Sequence, residues 1–381
     1  MANRYIQRIT QLIALALLAH IALSWPLWFP SASRSIPLTP LITGLFPENI
    51  VFNVLQISAL ILLTGFVLWF PNKQTAKIGL IAMLLWLVLQ DTNRLQPWLY
   101  FYLLSLCLIV AGRNQSDYTV WGLRLVLAAV YAWGGFNKLT PFFAEDNFPW
   151  FCEAFVWTKP LGKLPMFGYA VAAVEFIFAP GLLWAKTRPV FRWLVVGFHL
   201  FIALAISPLG LNWNTIVIPW NLSMAGMVWL LFDPKMQITV EHYFELNRSR
   251  ITSGMVLLLA WVFPALNIFH VWDEALSWKM YSNTQTEASF YARIPINCGY
   301  TGMNLDPLTY DQGRKLLLDD WAIKELHVPA YNNRRTQQQL ARYLCNCIPN
   351  PDSAGLLILT VDRWDYQARH WEEIPCKLIK K

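Results

Sequence analysis

Apolar residues in this chain come in long blocks rather than in alternation. Nine stretches carry few charges: about 9–29, 50–70, 76–90, 97–112, 119–137, 165–185, 190–208, 213–232 and 251–271. At 1.5 Å per residue, a helix needs about 20 residues to cross roughly 30 Å of hydrocarbon. Most of the nine reach that length; the third and fourth are the shortest. Backbone amides in lipid must pair within their own segment, so the pattern predicts helices. From Trp272 onward the pattern changes. Mixed charge appears together with Asn, Gln and Asp. Short β-like runs at 288–294 and 356–361 bracket helical patterns around 312–326 and 335–344. The expected architecture is an all-α integral membrane domain of about nine transmembrane helices over 1–271. A small α+β domain follows over 272–381.

Composition agrees. Of 381 residues, 56% are apolar and 14% charged, with 20 Trp and 23 Phe. Mean hydropathy is +0.37. A soluble domain carries nearer a quarter charged residues. Lys and Arg set the expected orientation. With the N-terminus in the cytoplasm, the inside segments hold Arg4, Arg8, Lys73, Lys77, Arg113, Arg124, Lys186, Arg188, Arg192, Lys235, Arg248 and Arg250. The outside connections hold only Arg34, Arg94, Lys138, Lys159 and Lys163. This asymmetry places 272–381 on the extracytoplasmic side of a cell or inner membrane. It also explains the net charge of +7. Residues 272–381 contain 13 basic and 13 acidic side chains, so the whole surplus lies in the membrane part. The basic balance is a topology signal and not the footprint of a nucleic-acid surface; the expected partner is the lipid bilayer. Ser31-Ala-Ser33 would pass as a cleavage site. The apolar stretch before it is longer than a signal-peptide core and rich in Trp and Phe, so it reads as a retained helix.

Four of the six cysteines, Cys298, Cys345, Cys347 and Cys376, fall in 272–381. An oxidising compartment allows them up to two disulfides. Cys345 and Cys347, one residue apart, also admit a metal reading, but no cysteine or histidine pair has zinc-like spacing. There is no phosphate-cradling glycine loop, no G-x-S-x-G elbow and no H-E-x-x-H.

Chemistry must then come from polar residues within or at the rim of the helices, where lipid makes them costly. Glu175 and His199 fall near mid-depth of consecutive antiparallel helices and are expected to meet. They form either a structural hydrogen bond, or a proton relay or ligand contact in a buried pocket. His20 reads as a satisfied interior histidine. The expected outer rim collects Gln90, Asp91, Asn93, Arg94 and Gln96, then Asn137 and Lys138, then Asn212, Trp213 and Asn214, then Trp220 and Asn221. Asn and Trp on one side of a membrane are either interfacial anchors or the mouth of a ligand site. The aromatic segment after Lys138, with Pro141, Pro149, Pro160 and Pro165, is too short and broken for a span. It reads as an interfacial or re-entrant piece that caps a pocket beside Lys138. Lys138 itself, closing "WGGFNK", is either a snorkelling anchor or a reactive amine.

The runs "YAWGGFNKL", "PWFCEAF", "VEFIFAPGLL" and "GFHLFIALAI", with "VIPWN" and "DTNRLQPWLYFYLL", resemble the HTTM family over about residues 1–235. That family includes the vitamin K-dependent gamma-carboxylase. The resemblance implies that Lys138 is the base that deprotonates a reduced quinone, whose oxygenated product then abstracts a glutamate γ-proton before carbon dioxide adds. That role needs a neutral amine, whereas a free lysine is protonated near pH 7. Two departures stand out. Asn137 replaces a second basic residue often found before the lysine. The outer domain, about 110 residues long, is much smaller than the carboxylase's luminal part. The Lys-Leu element is also similar to DoxX-type membrane proteins, associated with quinone and thiol redox.

Three readings follow. The first is a membrane enzyme with Lys138 as base and His199 and Glu175 as a buried polar pair. In it Asn93, Asn137, Asn214, Trp220 and Asn221 contact a lipophilic quinol-like cofactor or lipid. The second is a DoxX-like redox subunit with working cysteines. The third is a non-catalytic membrane protein that recruits a protein partner through its outer domain.

Overall fold

Every apolar block forms a helix in the computed structural model, which describes residues 2–29, 34–44, 49–112, 116–236, 238, 248–282, 284–293, 316–361 and 369–380. In chain order the long helices are α1 (Ala2–Leu23), α2 (Ile50–Trp69), α3 (Gln74–Gln90), α4 (Pro97–Ala111), α5 (Ser116–Lys138), α6 (Pro165–Leu183), α7 (Arg188–Ile206), α8 (Val217–Leu231) and α9 (Ile251–Phe269). Among the described residues, six are long and apolar enough to cross a membrane: α1, α2, α5, α6, α7 and α9. This is the make-up of a multi-pass membrane protein. The expected nine spans reduce to six by length, because α3, α4 and α8 have 17, 15 and 15 residues. For α8 the cause is local. Asn212 and Asn214 take left-handed backbone conformations (φ 48° and 50°), so residues 213–216 stay outside the helix, which starts at Val217. Asn tolerates that conformation better than other side chains.

The described chain forms two compact units. The first comprises Met1–Leu23, Ser58–Leu85 and Pro97–Asn283. Its central helix is α5, with 78% of its most apolar window buried, against 28–44% for the other five long helices. Those five turn large apolar side chains outward, among them Leu62, Trp69, Trp193 and Met255. Such surfaces suit lipid and not water. The segment between α5 and α6 makes short helical turns at Phe143–Asn147, Phe148–Cys152 and Lys159–Gly162 and no span. Phe143, Phe148 and Cys152 pack on Ala172 of α6, while Val156 and Trp157 face outward.

The first unit runs past Trp272 to Asn283. The reason is Trp278. It is fully buried, its ring lies 5.2 Å from Tyr100 of α4, and its indole N–H donates to Ala260 O of α9.

The second unit comprises Ser24–Ile57, Trp86–Gln96 and Thr284–Lys381. It contains an antiparallel sheet of β1 (Glu287–Ala292), β2 (Leu316–Leu317), β3 (Ala354–Val361) and β4 (Arg369–Pro375), in the order β2-β1-β3-β4. Helices α10 (Leu318–Leu326) and α11 (Arg334–Asn346) follow β2. The core joins Phe290, Trp321, Leu340, Leu344, Leu356 and Ile358. Asn333 caps α11 by accepting from Thr336 N at 2.8 Å, one of the preferred N-cap residues. Cys345 of α11 is disulfide-bonded to Cys376, just after β4, and both are fully buried. Cys298, Arg113, Ser31–Ser33 and residues 294 and 312–315 of the expected elements lie outside the described residues.

Candidate functional site

On α5, Tyr131, Gly134, Gly135 and Lys138 stand at i, i+3, i+4 and i+7, a single helix face. That face meets α6. A Cβ on Gly135 would lie 2.3 Å from Phe176 N and 2.7 Å from Ala172 O, so the two backbones touch there. Small residues permit such close helix contacts in membranes. A Cβ on Gly134 would lie 2.7 Å from Glu175 Oε1 and 3.8 Å from Lys138 Nζ. One glycine brings the helices together; the other leaves room for the charged pair between them.

That pair is Lys138 Nζ donating to Glu175 Oε1 at 2.9 Å. Both residues are buried, yet 11% and 10% of their side chains remain exposed, so the pair is not sealed. Among the described residues neither side chain makes a second hydrogen bond. An ammonium has three donors and a carboxylate about four acceptor positions, so most of their capacity is unused.

Glu175 and His199 were expected to meet. The structure instead gives Glu175 to Lys138 and His199 to two neighbours missed in the sequence as a set. His199 Nε2 is 2.8 Å from Tyr131 Oη, and its Nδ1 is 2.8 Å from Asn221 Oδ1. Asn221 Nδ2 donates to Val217 O at 2.9 Å, which turns Oδ1 toward the imidazole. An amide oxygen only accepts, so Nδ1 carries the proton and Nε2 accepts from the Tyr131 hydroxyl. Lys138 lies within electrostatic reach of His199, and Glu175 of Tyr131. The signal for Tyr131 was present in the sequence: it lies two turns before Lys138 on the same face.

The remaining rim residues do not converge on this centre. Asn137 donates to Ser277 O at 3.0 Å. Asn214 donates to Tyr281 Oη at 3.2 Å. Trp220 is buried edge-on against Phe101, 5.2 Å between ring centroids. His20 stacks on Trp98 at 4.1 Å and bonds Ala16 O, an interior placement as expected.

Asn93 belongs to the second unit, at a polar hub built on Asp91. Asp91 Oδ2 takes Arg34 at 2.7 Å; Oδ1 takes Thr39 Oγ1, Thr39 N, Asn93 N and Asn93 Nδ2 at 2.9–3.3 Å. Asn93 Oδ1 accepts from Tyr331 N at 2.9 Å, and Gln96 donates to Pro329 O. Arg94 is spent on Leu27 O, Trp28 O, Leu87 O and Gln90 Oε1. Burial pushes the Asp91 carboxyl up, but the Arg34 and Arg94 charges and its hydrogen bonds outweigh burial and hold it below its ordinary value. Burial draws Arg94 down to about 10, partly opposed by Asp91.

Comparison with protein-family models, curated proteins and solved structures finds no match to this chain. The site therefore stands on its own geometry. Among the described residues, no three His, Cys, Asp or Glu side chains come together as metal ligands. What the Lys138–Glu175 pair offers is a cation and a carboxylate side by side in an apolar wall. A hydroxyl group can satisfy both at once, its oxygen accepting from the amine and its proton going to the carboxylate. A carbonyl oxygen can only accept.

Proposed function

We propose that this chain is a multi-pass membrane protein of the HTTM type that holds a lipophilic, hydroxyl-bearing ligand against Lys138 and Glu175 and removes a proton from it. The ligand class, a reduced quinone or a lipid, comes from the resemblance carried by "WGGFNKL" and its neighbours. The observation that supports a chemical role is the buried ion pair on the α5–α6 contact, with unused hydrogen-bonding capacity and partial exposure. Full spans over α3, α4 and α8 would require local thinning of the bilayer. A cytoplasmic N-terminus and an extracytoplasmic C-terminal unit are supported by the Lys and Arg asymmetry and by the Cys345–Cys376 disulfide, which suits an oxidising compartment. Full burial of that disulfide favours a structural staple over the working thiols of the DoxX-like reading.

The test is titration of the protein in lipid nanodiscs with a short-chain naphthohydroquinone kept reduced, followed by tryptophan quenching. Saturable binding that Lys138→Ala weakens by about tenfold or more is expected, equivalent to one strong charged hydrogen bond. No saturable binding, or equal binding by the variant, overturns the reading.

A further inference from the structure

The lysine is the residue the resemblance offers as base, but the geometry points to another. We infer that Glu175 is the net proton acceptor of this site and that Lys138 is the cation that stabilises the resulting oxyanion. The inference rests on the reading of the pair as a hydroxyl-binding site.

The argument follows the protons. With the pair ionised, a ligand hydroxyl accepts a hydrogen bond from Lys138 and presents its own hydrogen to Glu175. The ligand O–H bond breaks, an O–H bond forms on the Glu175 carboxylate, and the electron pair stays on the ligand oxygen as an oxyanion beside the ammonium. Nothing is oxidised or reduced. Alternatively, Lys138 first passes a proton to Glu175, and the neutral amine then takes the ligand's proton. The products are the same: ammonium, oxyanion and carboxylic acid. Whichever nitrogen or oxygen meets the proton first, the site's added proton ends on Glu175. Net charge is conserved within the buried site, so no uncompensated ion is created, which is the costly outcome for charges out of water. An amine that lost its proton to bulk water would instead leave the Glu175 carboxylate buried and alone.

Three features prepare Glu175 for this role. Its Oε1 holds Lys138 at 2.9 Å, and the carboxylate makes no other hydrogen bond among the described residues. Gly134 removes the side chain that would press on Oε1. Tyr131 is engaged at His199, so its hydroxyl proton is not directed at the pair.

The experiment uses an alkylated naphthol whose neutral and ionised forms differ in absorbance, bound to the full-length protein in nanodiscs. Wild type is expected to bind it and ionise it at a pH where the free probe is neutral. Glu175→Gln is expected to bind it but lower the ionised fraction by about tenfold or more, a shift of at least one pK unit. Glu175→Asp is expected to restore part of the ionisation, and Lys138→Arg to keep part of it where Lys138→Gln loses it, because a guanidinium stays charged and cannot act as the base. Ionisation unchanged in Glu175→Gln, or lost in Lys138→Arg, overturns the assignment while leaving the hydroxyl-binding reading standing. If Glu175→Gln does not fold, Lys138→Arg decides alone. Absence of any probe binding by wild type defeats the inference together with the reading beneath it.

Discussion

Two regions of this protein bury an acid beside a base, and they do so in opposite ways. The Asp91 hub is densely bonded: one carboxylate oxygen takes Arg34, the other takes four donors, and Arg94 is spread over three carbonyls and an amide. At the Lys138–Glu175 pair a single hydrogen bond joins two groups that have several more to give. Full satisfaction makes a polar cluster rigid and structural. Partial satisfaction, with a tenth of each side chain still exposed, leaves a place for something else to bind. The difference teaches which buried charges to read as architecture and which as chemistry.

The largest effect that would break this comparison is at Asp91. Asp91→Asn leaves Arg34 and Arg94 buried without a counter-charge, and about 3–5 kcal/mol of stability is expected to go. Thermal unfolding of the purified protein in detergent reads it. A loss below about 1 kcal/mol would remove the hub from its structural role. The sign with pH follows from the lowered carboxyl. A carboxyl lower in the folded than in the unfolded state contributes stability in full above its unfolded value near 3.9. That contribution is lost as pH falls through the lower folded value. Wild type is thus expected to lose an increment of stability on acidification below about pH 4, and Asp91→Asn to lack that increment.

The two glycines of "WGGFNK" sharpen the contrast between architecture and chemistry within one turn of helix. Gly135→Ala puts a methyl against the backbone of Phe176 and Ala172, which cannot step aside. The expected cost is about 1–3 kcal/mol from overpacking. Gly134→Ala meets the Glu175 carboxylate, the end of a movable side chain. Stability is expected to change by less than about 1 kcal/mol, while ionisation of a bound naphthol falls because the pair is displaced. Unfolding midpoints and probe absorbance on both variants decide it; the reverse pattern would make Gly135 the site residue and Gly134 the packing residue.

Much of the membrane part was legible because lipid imposes one rule. Each apolar block must satisfy its own backbone, so every block became a helix. Span length was less legible: the left-handed Asn212 and Asn214 shortened α8 by turn chemistry that hydropathy does not register. Lys138 and Glu175 were both visible as costly polar residues, but their pairing was not. It depends on two glycines that set the depth and rotation of α5 against α6. The partners of the Asn-rich rim were hidden for a related reason. Asn93, Asn137, Asn214 and Asn221 share composition and expected depth, yet Asn93 bonds Tyr331, Asn137 and Asn214 bond Ser277 and Tyr281, and Asn221 bonds His199. Strand β4, reading Arg-His-Trp-Glu-Glu-Ile-Pro, was hidden because an exposed edge strand carries no apolar alternation.

The smallest effect tests whether the His199 chain belongs with the pair or with the scaffold. Tyr131→Phe removes one hydroxyl and is expected to cost about 0.5–1.5 kcal/mol, the net worth of one hydrogen bond. The stability change does not separate the two roles; the tautomer of His199 does. Asn221 fixes the proton on Nδ1 from the far side, so nitrogen NMR on histidine-labelled protein, with His199→Gln for assignment, is expected to show an unprotonated Nε2 in wild type and in Tyr131→Phe alike. In the phenylalanine variant that Nε2 loses its donor and faces the α5 side unpaired. Binding of the naphthol should then persist, while its ionisation shifts by less than that caused by Glu175→Gln. A proton found on Nε2 would mean that Tyr131 accepts from His199 and donates toward Glu175. Tyr131, and not the scaffold, would then complete the charged site.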